Sequence, residues 1–167
     1  MTAVKDAQRA FATYGDMVYR LALVRVGRSA DAEDIVQEVF LRYLRSAPQT
    51  MDGEHEKAWL IRVAINCSKS QAGSVWNTRV DALPDEVALS SPESTDAEAD
   101  GERIQAVRDA VQRLPHDYRT VVHLFYYEGY RTAEIAEMCD TTDATVRSWL
   151  HRARQLLRDT IDVQDEE

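Results

Sequence analysis

The sequence predicts an all-α protein, with two small helical domains joined by an acidic flexible linker and a helix-turn-helix in the second domain. Apolar residues recur at three- and four-residue intervals along most of the 167 residues, and no segment alternates convincingly as a strand would. Residues 81–101 break this pattern, because they are poor in large apolar residues and rich in Pro, Ser, Asp and Glu. We therefore expect a domain over 1–80, a linker over 81–102, a domain over 103–161 and an acidic tail over 162–167.

Two helices open the first predicted domain. The first covers residues 7–26 and ends at a break over 27–29. The second begins near Asp31, whose carboxylate suits a helix N-cap, and it ends before Pro48.

A third helix of this domain is expected over about residues 56–70. Gly73 then interrupts it, and residues 75–79 can add a short fourth piece. We assign Trp59 to the core because it has apolar partners at helical spacing. The predicted buried positions of the domain are Phe11, Tyr14, Val18, Leu21, Ala22, Ile35, Val36, Val39, Phe40, Tyr43, Leu44, Trp59, Leu60, Val63 and Ala64.

The second predicted domain opens with two apolar helical segments. The first places Ile104, Val107, Val111 and Leu114 on one helical face, and Pro115 ends it. The second follows, with Gly129 as its C-cap. Its apolar residues are Val121, Val122, Leu124, Phe125 and Tyr126.

A helix-turn-helix follows at residues 130–158. Its first helix runs over about 132–139 with Thr132 as its cap, and Thr142 or Asp143 caps the second helix. Asp140 stands in the turn where such motifs usually have glycine, and aspartate tolerates the left-handed backbone better than most residues. The small side chain of Ala136 lets the two helices approach, and the inward residues of the second helix are Val146, Trp149, Leu150 and Ala153.

The distribution of charge favours DNA as a ligand of this motif, although the chain has a net charge of −9. Residues 81–102 hold eight acids and no base, and the tail adds more acids, whereas residues 143–158 hold four arginines and one acid. Screening acts over about 8–10 Å, so the local charge decides what binds. The alternative is an exposed basic helix without a ligand. The residues predicted to bind duplex DNA are Thr132, Thr145, Arg147, Ser148, His151 and Arg152.

Several other classes of function are disfavoured. No run of eighteen apolar residues is present, and the first residues lack the apolar stretch of a secretion signal. Cys67 and Cys139 are isolated, which disfavours a disulfide framework or a zinc site and fits a reduced, cytoplasmic compartment. The histidines have no nucleophile or metal-ligand pattern beside them, so we expect no enzyme, no cofactor and no metal.

The second helix also carries a polar stripe of four residues spaced i, i+3, i+4 and i+7. They are Asp34, Gln37, Glu38 and Leu41. We call them the α2 stripe, where α2 denotes this second predicted helix, from near Asp31 to before Pro48. An acidic, amide-bearing stripe with one exposed leucine suits a basic protein partner. The residues alone favour an ordinary solvated face.

A family resemblance favours a partner-binding role for the α2 stripe over an ordinary solvated face. The segment DAEDIVQEVFLRYLR resembles the core-binding segment of bacterial RNA polymerase sigma factors of the extracytoplasmic-function (ECF) type, in the sigma-70 superfamily. KAWLIRVAINCSKS is similar to their promoter-melting segment, and LPHDYRTVVHLFYYEGYRTAEIAEMCDTTDATVRSWLHRARQLLR resembles their promoter-reading domain. The similarity covers residues 9–79 and 103–158. The three segments together, in this order, are specific for the family, whereas any one of them alone is not.

The resemblance implies a sigma factor that binds core RNA polymerase and directs promoter recognition and transcription initiation. The α2 stripe would then dock on the β′ clamp helices, the second domain would meet the β flap and the minus-thirty-five DNA, and an anti-sigma protein would hold the factor inactive. The residues implied in promoter melting and base capture are Asn66, Ser68, Lys69, Ser70, Trp76 and Arg79. Members commonly have a basic run after the Asn, whereas this chain has only Lys69 and Arg79 there.

The competing interpretation is a stand-alone helix-turn-helix regulator with an N-terminal sensing or dimerisation module. Such a regulator binds duplex DNA without polymerase, usually as a dimer on a palindrome. The α2 stripe favours the sigma factor, because a sensing helix has no need of it. The residues identify neither the promoters nor the inducing signal.

Overall fold

The structure, a computed structural model, describes residues 2–47, 51–75 and 98–165, and the side chains of 3–47, 51–69 and 101–160. Every regular element in these ranges is helical, which confirms the all-α class. The chain divides into two compact units, Met1–Val87 and Ala88–Glu167. The side chain of Ser70, all of Trp76 and Arg79, and most of the predicted linker lie outside the described residues.

In its described residues, the first unit is built from three helices, each of which packs on the other two. They are α1 (Thr2–Val26), α2 (Ser29–Ser46) and α3 (Gly53–Val75). Gly27 ends α1 with a left-handed φ of 72°, a conformation that glycine adopts without a steric cost. The chain turns so tightly there that α2 begins at Ser29 with Arg28 as its N-cap. Asp31 therefore lies in the first turn, and its predicted capping role was wrong.

The core of the first unit follows most of the predicted apolar positions. Val18, Leu21, Ile35, Val39 and Leu60 are fully buried. The prediction was wrong for Phe11 and Leu44, whose exposed fractions are 55% and 41%. Phe11 on α1 contacts Phe40 on α2, with the two rings edge-on and their centroids 5.2 Å apart, while more than half of its surface remains exposed.

Helix α3 is longer than predicted at both ends. Asp52 accepts a hydrogen bond from the backbone N–H of His55 at 2.9 Å, so the helix begins at Gly53. The helix continues through Gly73 to Val75, which corrects the predicted interruption. One glycine in a helix interior costs only about 1 kcal/mol, so it does not by itself end a helix.

A buried carboxylate joins the three helices. Arg9 on α1 donates two hydrogen bonds to Glu56 on α3, at 3.0 and 2.8 Å, and the Tyr43 hydroxyl on α2 donates a third at 2.8 Å. Glu56 is only 4% exposed. The hydrogen bonds from Arg9 are the main reason that the pKa of Glu56 lies below its ordinary value. Burial is the main reason that the pKa of Tyr43 rises to about 12.

The part of the second unit that the structure describes, residues 98–165, forms four α-helices and a π-helical turn. They are α4 (Glu98–Gln112), α5 (His116–Val122), the π-helix His123–Tyr127, α6 (Thr132–Met138) and α7 (Asp143–Asp165). Helix α7 packs against α4, α5 and α6.

Two predicted boundaries of this unit were displaced. Helix α4 begins at Glu98, inside the expected linker, where its acidic first residues are favourable near the positive end of the helix dipole. Helix α7 continues to Asp165, inside the expected tail, because extending a formed helix adds a hydrogen bond for each residue ordered.

The apolar face predicted for α4 is only partly used. Ala110 on α4 and Leu114 just after it are buried, but Ile104 and Val107 are each 45% exposed. Tyr126 is also exposed, in the π-helix. Glu128 is the C-cap of this segment, and Gly129, predicted as the C-cap, is the left-handed residue that follows it, with a φ of 77°. The N–H of Tyr130 donates to Leu124 O at 3.0 Å.

We predict that Arg9→Ala lowers the free energy of unfolding by about 1–3 kcal/mol, because the buried Glu56 carboxylate loses its two strongest hydrogen bonds. The contribution is present above the ordinary pKa of 4.5 and is lost as the pH falls through the lowered pKa of folded Glu56. Urea unfolding at pH 7 measures the loss of unfolding free energy, and unfolding below pH 4.5 measures how that loss depends on pH. Lys5→Ala, at an exposed position of α1, is the control. Equal losses in the two variants at pH 7 would contradict the prediction.

Candidate nucleic-acid interface and partner surface

The first helix of the helix-turn-helix is capped by a different residue from the one predicted. Arg131 is the N-cap of α6, and Thr132 is the first helical residue. Glu134 accepts from the backbone N–H of Arg131 at 3.2 Å and from its Nε at 3.0 Å. The side-chain hydrogen bond is the main reason that the pKa of Glu134 is lowered. The Glu134 carboxylate, three residues into the helix, accepts the free backbone N–H at the N-terminus. The Thr132 hydroxyl is therefore not needed as a cap.

The turn confirms the geometry predicted for Asp140. Its φ is 55°, the one left-handed non-glycine residue in the described part of the chain. The N–H of Thr141 reaches back to Ala136 O at 2.9 Å. Thr142 then caps α7, because its hydroxyl accepts from the N–H of Thr145 at 3.2 Å. Of the two predicted candidates, Thr142 is therefore the cap, and Asp143 is the first residue of the helix.

The seam between α6 and α7 is buried as predicted. Ile135, Ala136, Val146, Leu150 and Ala153 are all at most 5% exposed, and Trp149 is half-buried. Burying these residues fixes the rotation of α7 about its axis. The polar residues between them must consequently face away from α6.

The opposite side of α7 presents four of the predicted DNA-binding residues to solvent. Arg147, Ser148, His151 and Arg152 are exposed. Thr145 is half-buried and its hydroxyl shares a 2.8 Å hydrogen bond with that of Thr142. Thr132, on α6, is also half-buried. We call the exposed side of α7, from Thr145 to Arg152, the α7 outer face.

Two contacts of the arginines on α7 were not foreseen. Arg147 Nε lies 3.0 Å from Asp143 Oδ2, one turn earlier in the helix. Arg154 Nε donates to the Tyr126 hydroxyl at 2.6 Å, and its guanidinium lies over the rings of Phe125 and Tyr126. The spacing i, i+4 of an acid and a base could have indicated the first contact. Nothing in the sequence indicated the second, which joins residues 28 positions apart.

The α2 stripe lies on one exposed side of the first unit. Asp34 and Gln37 are exposed, and Leu41 remains 44% exposed. Glu38 is half-buried and accepts from Arg42 Nε at 3.1 Å. The stripe therefore combines negative charge, an amide and an apolar side chain on a helix whose other side is buried in the core.

The promoter-melting residues predicted on α3 do not all share one surface. Asn66 and Lys69 are exposed, and Arg62, which the sequence reasoning missed, is exposed one turn before Asn66. Its spacing of four residues from Asn66 could have indicated it. Ser68 is only 1% exposed and therefore does not present its hydroxyl to a nucleic acid. Its position on α3 faces α1, where its hydroxyl accepts from buried Arg25 and donates to Ile65 O at 2.7 Å.

Neither cysteine forms a disulfide, and burial raises the pKa of the Cys67 thiol. Among the residues whose side chains are described, no three His, Cys, Asp or Glu side chains are grouped as they would be to hold a metal ion. None of the helices in the described ranges is long and apolar enough to cross a membrane.

Comparison with known proteins identifies both halves of the chain. Residues 10–76 match the family described as Sigma-70 region 2, and residues 104–157 match Sigma-70, region 4. The class of protein that combines these two regions is the sigma-70-type initiation factor of bacterial RNA polymerase.

Individual relatives narrow the class. The ECF RNA polymerase sigma factor SigL of Mycobacterium tuberculosis is 33% identical, over 87% of this chain and 82% of that protein. SigE of Mycolicibacterium smegmatis is 35% identical over 87% of this chain, which spans only 58% of SigE. Sigma factor RpoE of Bartonella quintana, solved with the anti-sigma factor NepR, has the same fold, with a TM-score of 0.73 at 22% identity over 95% of this chain and 98% of that chain. The chain belongs to the ECF sigma factors, which direct RNA polymerase to promoters.

We predict that Asp140→Val lowers the free energy of unfolding of the second unit by about 1–2 kcal/mol, because a β-branched residue is strained at positive φ. Asp140→Gly should retain or raise stability, since glycine adopts this conformation without a steric cost. Amide hydrogen exchange of α6 and α7 measures the effect in this unit alone. Ala133→Val, on the exposed side of α6, is the control. A glycine variant less stable than the valine variant would contradict the prediction.

Proposed function

We propose that the chain is a dissociable specificity subunit of RNA polymerase. In this proposal its first unit docks on the core enzyme and opens promoter DNA, and its second unit reads the minus-thirty-five element as duplex. One observation carries the proposal: an exposed acidic and apolar stripe on α2 and an exposed basic face on α7 lie in two separate helical units of one chain. A single DNA-binding module has no need of the first surface.

The α7 outer face supports the DNA-reading half of the proposal. Its helix is 23 residues long and stands on a buried seam, which is the arrangement of a recognition helix in the major groove. Arg147 and Arg152 suit guanine edges or phosphates, and Ser148 and His151 suit either. Thr132 and Thr145 remain proposed contacts at the start of the two helices.

The α2 stripe supports the docking half. Asp34 and Glu38 supply negative charge for a basic surface, and Leu41 supplies an exposed apolar contact. The proposed partner is the pair of β′ clamp helices of the core enzyme. The β flap is proposed as the contact of the second unit.

Strand capture is proposed for the exposed side of α3. Asn66 can hydrogen-bond an unstacked base, while Lys69 and Arg62 supply cations for the phosphates of a displaced strand. Ser70, Trp76 and Arg79 remain candidates by resemblance. Ser68 is left out of the proposed set, because it is buried against Arg25.

The proposed setting is the bacterial cytoplasm, and the proposed role is regulatory without catalysis. An anti-sigma protein is proposed as the inhibitor, and the solved RpoE relative was crystallised with such a partner. The alternative of a stand-alone regulator can be tested with the same chain and promoter DNA, because a regulator binds duplex promoter DNA without core polymerase. In vitro transcription with core enzyme and a promoter library, measured beside duplex promoter binding by the chain alone, therefore distinguishes the two. Tight duplex binding without core enzyme, together with no promoter-specific transcription in its presence, would overturn the proposal.

Docking is predicted to fail when the α2 stripe is altered. Gln37→Ala combined with Glu38→Arg should abolish co-purification with core polymerase, because it removes the amide and reverses the charge facing a basic partner. Asp16→Arg, an equal charge reversal at an exposed position of α1, is the matched control. Circular dichroism verifies that both variants remain helical. Co-purification equal to that of the parent chain would remove the docking claim.

Arg147→Ala is predicted to cost about 1–3 kcal/mol of promoter binding if its guanidinium makes a bidentate contact with guanine. The loss should be confined to promoters carrying that guanine. Holoenzyme binding to a set of single-base promoter variants measures it, with salt dependence recorded in parallel. A uniform loss on every promoter, with a shallower salt dependence, would instead identify a phosphate contact.

A further inference from the structure

The first turn of α7 holds an ion pair between Asp143 and Arg147. Arg147 Nε lies 3.0 Å from Asp143 Oδ2. Thr142 already caps the helix, so the Asp143 carboxylate is not occupied in capping. Its second oxygen, Oδ1, is shielded from solvent and has no hydrogen-bond partner among the described residues. Within the described part of the chain, the contact with Arg147 is therefore the one that holds this carboxylate.

The pair uses one edge of the guanidinium and leaves the other edge available. The contact is made through Nε, whereas the two terminal amino groups of Arg147 have no other ion-pair partner among the described side chains. The Arg147 side chain is 66% exposed on the α7 outer face. Guanine presents O6 and N7 in the major groove to two donors of one arginine, so the free edge has the donors that this base needs.

We propose that Asp143 is a positioning residue for base recognition, which holds Arg147 by its Nε so that the terminal amino groups meet a guanine. This inference rests on the proposed DNA-reading role of α7. A free arginine samples many rotamers and loses that freedom when it binds, and a partner that restrains it beforehand lowers the loss. The restraint favours the one base that accepts two parallel hydrogen bonds over bases that do not.

Asp143 has a second effect of opposite sign, which makes the proposal testable. Its negative charge at the DNA-facing end of α7 repels phosphates, so its neutralisation strengthens binding to every sequence alike. Loss of the restraint weakens binding to the guanine-bearing promoter alone. The two effects combine into one signature: neutralising Asp143 raises binding to mismatched promoters and reduces the preference for guanine.

The test uses the complete chain assembled with core polymerase and a promoter library randomised over the minus-thirty-five element. Asp143→Asn should reduce the preference for guanine at one base pair by about three- to tenfold. Asp143→Glu keeps a carboxylate within reach of Arg147 and should restore most of it. Asp159→Asn, on the exposed surface of the same helix, removes an equal charge and should leave the preference unchanged. In an Arg147→Ala background, Asp143→Asn should no longer change the preference.

The outcomes separate this inference from the function on which it rests. If Arg147→Ala removes the preference for guanine and Asp143→Asn leaves it intact, Asp143 acts only by repulsion and the inference is overturned. If Arg147→Ala changes neither the preference for guanine nor the affinity for the promoter, both the inference and the proposed DNA-reading role of the α7 outer face fail. A loss of preference in Asp143→Asn, rescued by Asp143→Glu and absent without Arg147, supports the inference.

Discussion

The three helices of the first unit meet at one carboxylate, that of Glu56. It accepts hydrogen bonds from α1 through Arg9 and from α2 through Tyr43, while its own helix carries it into the core. A buried acid is tolerated only when its lone pairs are satisfied, so the folded core requires both partners to be in place. This arrangement sets the position of α2 against α3. The surfaces proposed for docking and strand capture lie on the exposed sides of those same helices.

A corresponding constraint in the second unit is the left-handed turn at Asp140. It brings α6 and α7 close enough for Ala136 and Val146 to be buried between them. That burial sets which side of α7 faces outward, and hence that Arg147 and Arg152 are both exposed to solvent. The net charge of the chain has little influence on this, because the acidic residues along the sequence are mostly outside α7.

Helical periodicity predicted burial well for residues that lie in the middle of the apolar face of their own helix. Val18, Ile35 and Leu150 recur at helical spacing and are buried, and the turn residue Asp140 adopts its expected conformation. The family resemblance was also readable from the sequence, since whole segments carry it. The predictions that failed concern helix ends and partial burial. Asp31 and Thr132 have capping side chains, but Gly27 and Glu134 set where their helices begin.

The sequence by itself determined the all-helical class, the tight turn before α7 and the family, because each depends on residues close together in the chain. Only the tertiary structure decided which polar residues are accessible. Ser68 and Asn66 are equally polar and two positions apart, yet the first faces Arg25 on α1 and the second faces solvent. Arg154 likewise meets Tyr126 across 28 residues. Such contacts depend on how helices pack against one another, and helical spacing within one segment carries no information about the neighbour that covers it.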